Sequence, residues 1–139
     1  MAQASTTPAV SSLPGKSPYL VLFASWLLPG AGHFLLGRRG RGAIIFVTVL
    51  VSFVLGILMR GAMFEPKSGD LLTTLIQYGG FVGDLCSGIF YLLAVWLGYS
   101  EADQAGHSHD YGAKFLVAAG LLNVLAMVDA WDISIGKRD

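Results

Sequence analysis

Long uninterrupted runs of apolar residues are the feature that most restricts what this chain can fold into. Residues 42–59 contain no charge, and a helix of that length nearly crosses a hydrocarbon core of about 30 Å. Three further apolar stretches occupy most of the remaining sequence, and only 13% of residues are charged. Mean hydropathy is +0.63. The pattern predicts an all-α integral membrane helical bundle with about four transmembrane segments.

The chain is predicted to hold one membrane domain between two short tails. Residues 1–17 are small, polar and proline-containing, which predicts a flexible N-terminal tail. No basic region directly precedes the first apolar stretch, so this tail is not typical of a secretory signal. Residues 18–135 are predicted to form a single transmembrane helical domain, and residues 136–139 a short C-terminal tail. The formal net charge is zero, which gives no indication of a nucleic-acid partner.

The first apolar segment, residues 19–36, has spanning length but contains Pro29-Gly30. Proline removes a backbone donor and clashes with the preceding turn, which predicts a kink or break near residues 24–28. The segment is therefore either one bent span or a re-entrant helix–turn–helix. The second arrangement is tolerated only where protein covers the exposed backbone.

The third and fourth segments follow polar loops at residues 60–70 and 100–110. Residues 71–99 are apolar, with a joint predicted at the glycine pair 79–80 and a span over residues 81–99. The fourth segment covers residues 111 to about 131. Aromatic residues support these limits, because Trp and Tyr prefer the membrane interface. We expect Trp96, Tyr99 and Tyr111 to lie at one interface and Trp131 at the other.

The distribution of cations gives conflicting indications of orientation. Arg38, Arg39 and Arg41 cluster between the first two segments, and the positive-inside rule places that loop in the cytoplasm. With four full spans, both termini are then outside. The same four spans place five other cations on the outer side, namely Lys16, Arg60, Lys67, Lys137 and Arg138.

Small residues recur at helical spacing on two predicted helices. Gly79, Gly83 and Ser87 are four positions apart and share a face. Ala118, Ala119 and Gly120 offer a similar surface on the fourth segment. Small residues let helix backbones approach closely in lipid. Such faces serve either internal bundle packing or docking onto another membrane subunit.

Two polar residues lie inside the predicted spans. A charged Asp84 would cost at least about 2.5–3.5 kcal/mol there, so it should face the bundle interior, an aqueous cavity or a partner. It is interpreted as a structural hydrogen-bonding residue, with a proton or ion site as the alternative. Asn123 is predicted to hydrogen-bond between helices, a contribution of about 0.6–2 kcal/mol.

Further polar candidates lie near the ends of the segments. His33 follows the break in the first segment and is predicted to bond backbone groups freed there. Asp129 and Asp132 are three residues apart and share a helix face. They are interpreted either as carboxylates that end the helix at the water interface or as ligands of a cation. His107 and His109 are two residues apart in a predicted loop. Such a pair can ligate a metal ion, but we expect these side chains to be solvated.

The run LLPGAGHFLLGRRGRG at residues 27–42 combines glycines that permit tight turns with three arginines that suit lipid phosphates or partner carboxylates. It resembles the signature of the small two-transmembrane-helix domain family, whose usual small acidic or polar residues are absent from this hairpin. The similar positions are Gly30, Gly32, His33, Phe34, Gly37 and Gly42.

A second resemblance covers residues 18–136. The motifs PGAGH, LGR, AGLLN and DAWD are similar to those of an uncharacterised bacterial family of short multi-pass membrane proteins. That resemblance implies a bacterial inner-membrane location and no particular activity. The positions that match its motifs are His33, Arg38, Asn123, Asp129 and Asp132.

The sequence contains no nucleophile–base pair and no nucleotide-binding loop. It therefore predicts a non-catalytic membrane protein, a scaffold or accessory subunit of a larger membrane complex, with no cofactor and with room for bound lipid. Its expected partners are the bilayer and other membrane subunits. The alternatives are an ion- or proton-handling transport protein using Asp84 and Asn123, and an anionic-lipid-binding protein using the arginines.

Overall fold

A computed structural model describes residues 16–100 and 106–137, and within that part of the chain every regular element is helical. The all-α prediction is therefore confirmed. Most of the predicted N-terminal tail, the middle of the second polar loop and residues 138–139 lie outside the described residues. The helices are α1 Pro18–Leu27, α2 Ala31–Leu35, α3 Arg39–Leu58, α4 Leu71–Leu85, α5 Ile89–Trp96 and α6 His107–Ser134.

Two of these helices, α3 with 20 residues and α6 with 28, are long and apolar enough to cross a membrane. The α4–α5 pair meets the same test only when both helices are counted together across a bend of 101°. The described residues thus hold two candidate spans, or three with the bent pair. The prediction of four spans is not confirmed, since the break in the first segment leaves pieces of ten and five residues.

Helices α3 and α6 form the centre of the bundle and run antiparallel. Gly56 of α3 lies against Leu116 of α6, and toward the opposite ends Arg41 lies 3.7 Å from the Asp129 carboxylate. The buried apolar core lies along this pair and against α5. Its members are Val49, Phe53, Phe90, Ala94, Leu116 and Ala119.

The two ends of this helix pair differ in charge. The basic end holds the N-terminus of α3 and the C-terminus of α6, marked by Arg39 and Ser134. The loop end holds the C-terminus of α3 and the N-terminus of α6, marked by Leu58 and His107. The α1–α2 and α4–α5 pairs are located relative to these two ends.

The break between α1 and α2 occurs where proline and glycine follow one another. Helix α1 ends at Leu27, and Gly30 adopts a φ of +82°, a conformation that L side chains rarely adopt. A Cβ atom at Gly30 would also overlap the carbonyl oxygen of Gly42 in α3. The break thus begins at Leu28, within the residues where it is predicted, and both glycines are needed for the close approach.

The α1–α2 pair enters and leaves the bundle at the basic end. The Tyr19 ring lies 5.4 Å from the ring of Trp131 on α6, and the last turn of α1 reaches Asn123. The chain then turns back, since His33 in α2 lies 2.9 Å from Asp129. The pair therefore extends only part of the way along α6.

The break between α4 and α5 lies at residues 86–88, so the joint predicted at the glycine pair 79–80 is wrong. Gly79 and Gly80 both lie inside α4. Gly88 carries the turn with a φ of +66°, and a Cβ atom there would overlap the carbonyl oxygen of Trp26. The same break divides the segment predicted to span over residues 81–99.

Helix α5 leads the chain back to the loop end. The Phe90 ring packs between Phe46 and Phe53 of α3, with ring centres 5.8 and 5.6 Å away. The Tyr99 hydroxyl, just past α5, donates a 2.9 Å hydrogen bond to the carbonyl of Gly61. Both ends of the α4–α5 pair consequently lie at the loop end.

This arrangement corrects the predicted distribution of cations. Lys16 donates to the carbonyl of Leu35, and Lys137 lies 3.8 Å from Asp132, so both lysines lie at the basic end with the arginine cluster. Among the described residues, the basic end has Lys16, Arg38, Arg39, Arg41 and Lys137. The loop end has Arg60, Lys67 and Lys114.

Candidate functional site

The two helix breaks meet at one asparagine in the middle of the bundle. The Asn123 side chain is fully buried, and its Nδ2 donates to the carbonyls of Trp26 at 3.1 Å and Cys86 at 2.9 Å. These carbonyls lie where α1 and α4 end, and terminal helix carbonyls lack partners within their own helix. We name Trp26, Cys86, Gly88 and Asn123 the central junction. The predicted interhelical role of Asn123 thus takes the form of two backbone contacts.

The predicted small-residue set divides into an inner and an outer part. A Cβ atom at Gly120 would overlap the carbonyl oxygen of Gly83 and approach the Ser87 backbone nitrogen to 3.2 Å, so these three positions hold α4 against α6. Gly79 is exposed, with open space where its Cβ atom would be. Ser87 lies beyond the end of α4, so it does not share a helix face with the two glycines. Ala119 is fully buried in the core.

Asp84 fixes the polar loop at residues 59–70 against the bundle. Its Oδ2 accepts a 2.8 Å hydrogen bond from the backbone N–H of Phe64, and the side chain is 1% exposed. Its Oδ1 has no hydrogen-bond partner among the described residues. The carboxylate therefore holds Phe64, whose ring fills the space in front of Gly80.

The end of this loop is held to the first turn of α4 by two side-chain contacts. The hydroxyl of Thr73 donates to the Asp70 carboxylate, and this bond lowers the pKa of Asp70 below its ordinary value. The Gly69 N–H donates to the Thr74 hydroxyl at 3.1 Å. These contacts tie the residues just before α4 to its first turn.

At the basic end, Asp129 is shared by two basic side chains. His33 Nε2 lies 2.9 Å from Asp129 Oδ2, and Arg41 lies 3.7 Å from the same oxygen. The buried His33 thus bonds a side chain of α6, where the sequence predicted backbone groups. Asp132 pairs instead with Lys137 at 3.8 Å, so the two predicted carboxylates take different partners.

Arg38 and Arg39 begin α3. Arg38 is its N-cap residue without a side-chain cap hydrogen bond, and the first turn contains no acidic residue. Arg39 and Arg41 are exposed. Free backbone N–H groups at a helix N-terminus favour anions, and the arginines add to that field. The arrangement suits a lipid phosphate or the carboxylates of a partner.

The histidines predicted to lie in a loop belong to the first turn of α6, because the helix begins at His107. The ring Nδ1 of His109 lies 2.7 Å from the carbonyl of Arg60, so this histidine anchors the helix end to the chain after α3. Over residues 16–100 and 106–137, no group of three or more His, Cys, Asp or Glu side chains could hold a metal ion.

A cavity of about 940 Å³ lies at the loop end between α4, α6 and the loop at residues 59–70. Its rim is polar, with Glu65, Lys67, Ser100, His109, Asp110 and Lys114. Its wall is mostly apolar and includes Met63, Phe64, Ile76, Val117, Ala118 and Leu121. The cavity is thus amphipathic along the direction of α6.

Sequence reasoning missed the cavity and the break at Gly88. The Ser87-Gly88 dipeptide is a turn signal that could have located the break. The partners of Asn123 are backbone carbonyls, which carry no side-chain signal at all. The cavity is bounded by residues from four separate parts of the chain, so no local pattern predicts it.

Comparison with known proteins adds one finding. No curated protein and no solved structure matches the chain. One family model does match, and it covers residues 20–139. This is consistent with the resemblance to an uncharacterised family. The chain therefore belongs to DUF6677, a family of unknown function.

Proposed function

We propose that this chain is a multi-pass protein of the bacterial inner membrane in which α3 and α6 are the two full spans. The α1–α2 and α4–α5 pairs then enter the bilayer from opposite sides as re-entrant hairpins. Non-helical backbone is tolerated at that depth where protein covers it. The buried amide of Asn123, which serves the backbone of both breaks, supports this topology.

The distribution of cations supports one orientation for this topology. Five of the described Lys and Arg residues lie at the basic end and three at the loop end, by the contacts given above. The positive-inside rule then places the basic end, with both termini, in the cytoplasm. This is the reverse of the orientation expected for the termini from four full spans.

Single-cysteine labelling in intact cells separates the two topologies. In a Cys86→Ala background, we expect Lys67→Cys to react with a membrane-impermeant maleimide, and Lys16→Cys and Lys137→Cys to react only after the membrane is permeabilised. Four full spans would instead put all three positions on the same side. Labelling of all three from one side would therefore contradict the two-span topology.

Within this membrane, we propose that the protein acts as a non-catalytic scaffold or accessory subunit of a larger membrane complex. The carrying observation is the exposed position of Gly79 in an apolar surface of α4. Leu72, Leu75 and Val82 flank it at helical spacing and are all more than half exposed. We name these four residues the Gly79 face. A glycine between large apolar side chains gives a partner helix room for close approach.

The Gly79 face predicts how the association responds to substitution. We expect Gly79→Leu to remove the hollow and to release the protein from its complex, with the partner fraction falling about tenfold for each 1.4 kcal/mol lost. The measurement is the native mass of gently extracted protein with mass spectrometry of the associated subunits. Val51→Leu, at a half-exposed position of α3, is the matched control.

Two results would count against this role. One is a wild-type protein that extracts only as a monomer or a homo-oligomer. The other is a Gly79→Leu variant that retains the same partner subunits as the control. Either result would return attention to the ion-handling and lipid-binding alternatives.

A further inference from the structure

We propose that the cavity at the loop end binds one membrane lipid with a zwitterionic headgroup, its phosphate at Lys114, its ammonium at Asp110 and an acyl chain along the wall. This binding site is independent of the proposed role in a complex. It concerns the cavity between α4 and α6 and not the Gly79 face.

The order of the lining residues along α6 matches the order of groups in a phospholipid. The rim residues Asp110 and Lys114 lie in the first two turns of α6, and the wall residues Val117 and Leu121 follow them. Lys114 and Leu121 are seven residues apart, which is about 10 Å along a helix. A headgroup at the rim therefore places an acyl chain against apolar side chains.

The charges at the rim favour a headgroup that carries both signs. Glu65 and Lys67 pair with each other at 2.9 Å. Among the described residues, Asp110 and Lys114 form no ion pair, although they lie four positions apart on α6. Lys114 is placed over the Tyr111 ring, 5.1 Å from its centre. A carboxylate and an ammonium without an ion-pair partner among the described residues are complementary to the ammonium and the phosphate of a zwitterionic lipid.

The proposed topology makes the cavity accessible from the hydrocarbon side. Ile76 of α4 is 54% exposed and Leu121 of α6 is 55% exposed, and both line the cavity. In the proposed topology both helical walls face the bilayer, so a lipid would enter laterally without leaving the membrane. The volume of about 940 Å³ lies within the range of ligand pockets, which is about 300–1,000 Å³.

The third wall is held in place by the contact described for Asp84. Its carboxylate accepts the Phe64 N–H, and Phe64 packs against Gly80, so the chain that carries Glu65 and Lys67 stays beside α4. The buried hydrogen bond between Phe64 and Asp84 therefore fixes this wall of the cavity.

The test is lipid retention by the isolated full chain, measured by native mass spectrometry. Protein is equilibrated with an equal mixture of phosphatidylethanolamine and phosphatidylglycerol and then washed in mild detergent. We expect one retained phosphatidylethanolamine per chain, with about a tenfold preference over phosphatidylglycerol, equivalent to 1.4 kcal/mol. Asp110→Asn should abolish that preference, because it removes the negative charge that pairs with the ammonium group and leaves the phosphate contact.

Filling the cavity provides the second arm. Ala118→Trp puts an indole against the wall and should lower retention about tenfold, whereas Ala43→Trp, at an exposed position of α3, should not change it. Equal retention by both tryptophan variants, no retained lipid in the wild type, or equal retention of the two lipids by the wild type would overturn the proposal. Asp110→Asn changes a surface residue, so it remains informative even where Ala118→Trp does not fold.

The lipid proposal and the complex proposal can be contradicted independently of each other. Lipid retention is measured on the isolated chain and needs no partner subunit. Association is measured on Gly79→Leu, whose substitution lies outside the residues that line the cavity.

Discussion

Gly120→Leu is expected to lower the free energy of unfolding by about 3 kcal/mol or more, the upper part of the range for overpacked cores. A Cβ atom at this position already overlaps the carbonyl oxygen of Gly83, and a leucine adds three further carbon atoms. Because the obstacle is backbone, it cannot move aside without separating α4 from α6. The measurement is unfolding in detergent micelles followed by circular dichroism.

Gly79→Leu is the matched control for this substitution. It makes the same chemical change in a helix of the same bundle, at a position where nothing lies within 4 Å of the added Cβ atom. Replacing a helical glycine removes its conformational penalty of about 0.8–1.0 kcal/mol, so the control should be neutral or stabilising. Equal destabilisation by the two variants would show that α4 does not pack on α6 through Gly83 and Gly120.

Asn123→Leu is expected to destabilise the protein by about 1–3 kcal/mol, since it leaves the carbonyls of Trp26 and Cys86 without their shared donor. Interhelical hydrogen bonds in membranes average about 0.6 kcal/mol and reach about 1.7. Two bonds from one buried amide should place this residue near the upper limit. The measurement is unfolding in micelles, as for Gly120→Leu.

A hydroxyl that serves only its own helix provides the contrast. Thr48 is exposed, and its Oγ1 donates to the Ile44 carbonyl one turn earlier at 2.8 Å. Thr48→Val leaves that carbonyl with its backbone donor, so we expect a change below about 0.5 kcal/mol. An effect of Asn123→Leu no larger than that of Thr48→Val would mean that the central junction does not depend on the amide.

These two substitutions also test the fold on which both proposals rest. Gly120 holds α4 beside α6, and that spacing forms two walls of the cavity. Asn123 joins the two breaks and thus supports the re-entrant topology. A large effect of each is expected whether or not a partner subunit or a lipid binds.

Several predictions that depend only on local chemistry agree with the structure. A proline followed by glycine breaks the interior of a helix, so the break after Leu27 was predictable from Pro29-Gly30. The apolar run at residues 42–59 became α3 nearly within its predicted limits, because backbone hydrogen bonds must be satisfied internally in a membrane. The buried role of Asn123 followed from the cost of an unpaired amide in hydrocarbon.

Spacing alone could not distinguish equivalent small residues. Gly79 and Gly83 occupy the same predicted face, yet one is exposed and the other contacts α6. Which glycine meets a neighbour depends on where that neighbour lies. The joint predicted at residues 79–80 failed for a related reason, since Gly80 packs closely against Phe64 inside α4 and the chain reverses at Gly88.

The sequence by itself determined that this chain is helical and suited to a membrane. It also located the first break and the buried polar residues His33, Asp84 and Asn123, although the candidates Asp129 and Asp132 are partly exposed. Those properties depend on hydropathy, on the proline ring and on the cost of unpaired polar groups, which act locally. Only the tertiary structure decided that the two breaks meet at Asn123, that Lys16 and Lys137 lie beside the arginine cluster, and that a cavity opens between α4 and α6. These features depend on the direction in which each helix pair returns, and that direction is set by contacts between residues distant in sequence.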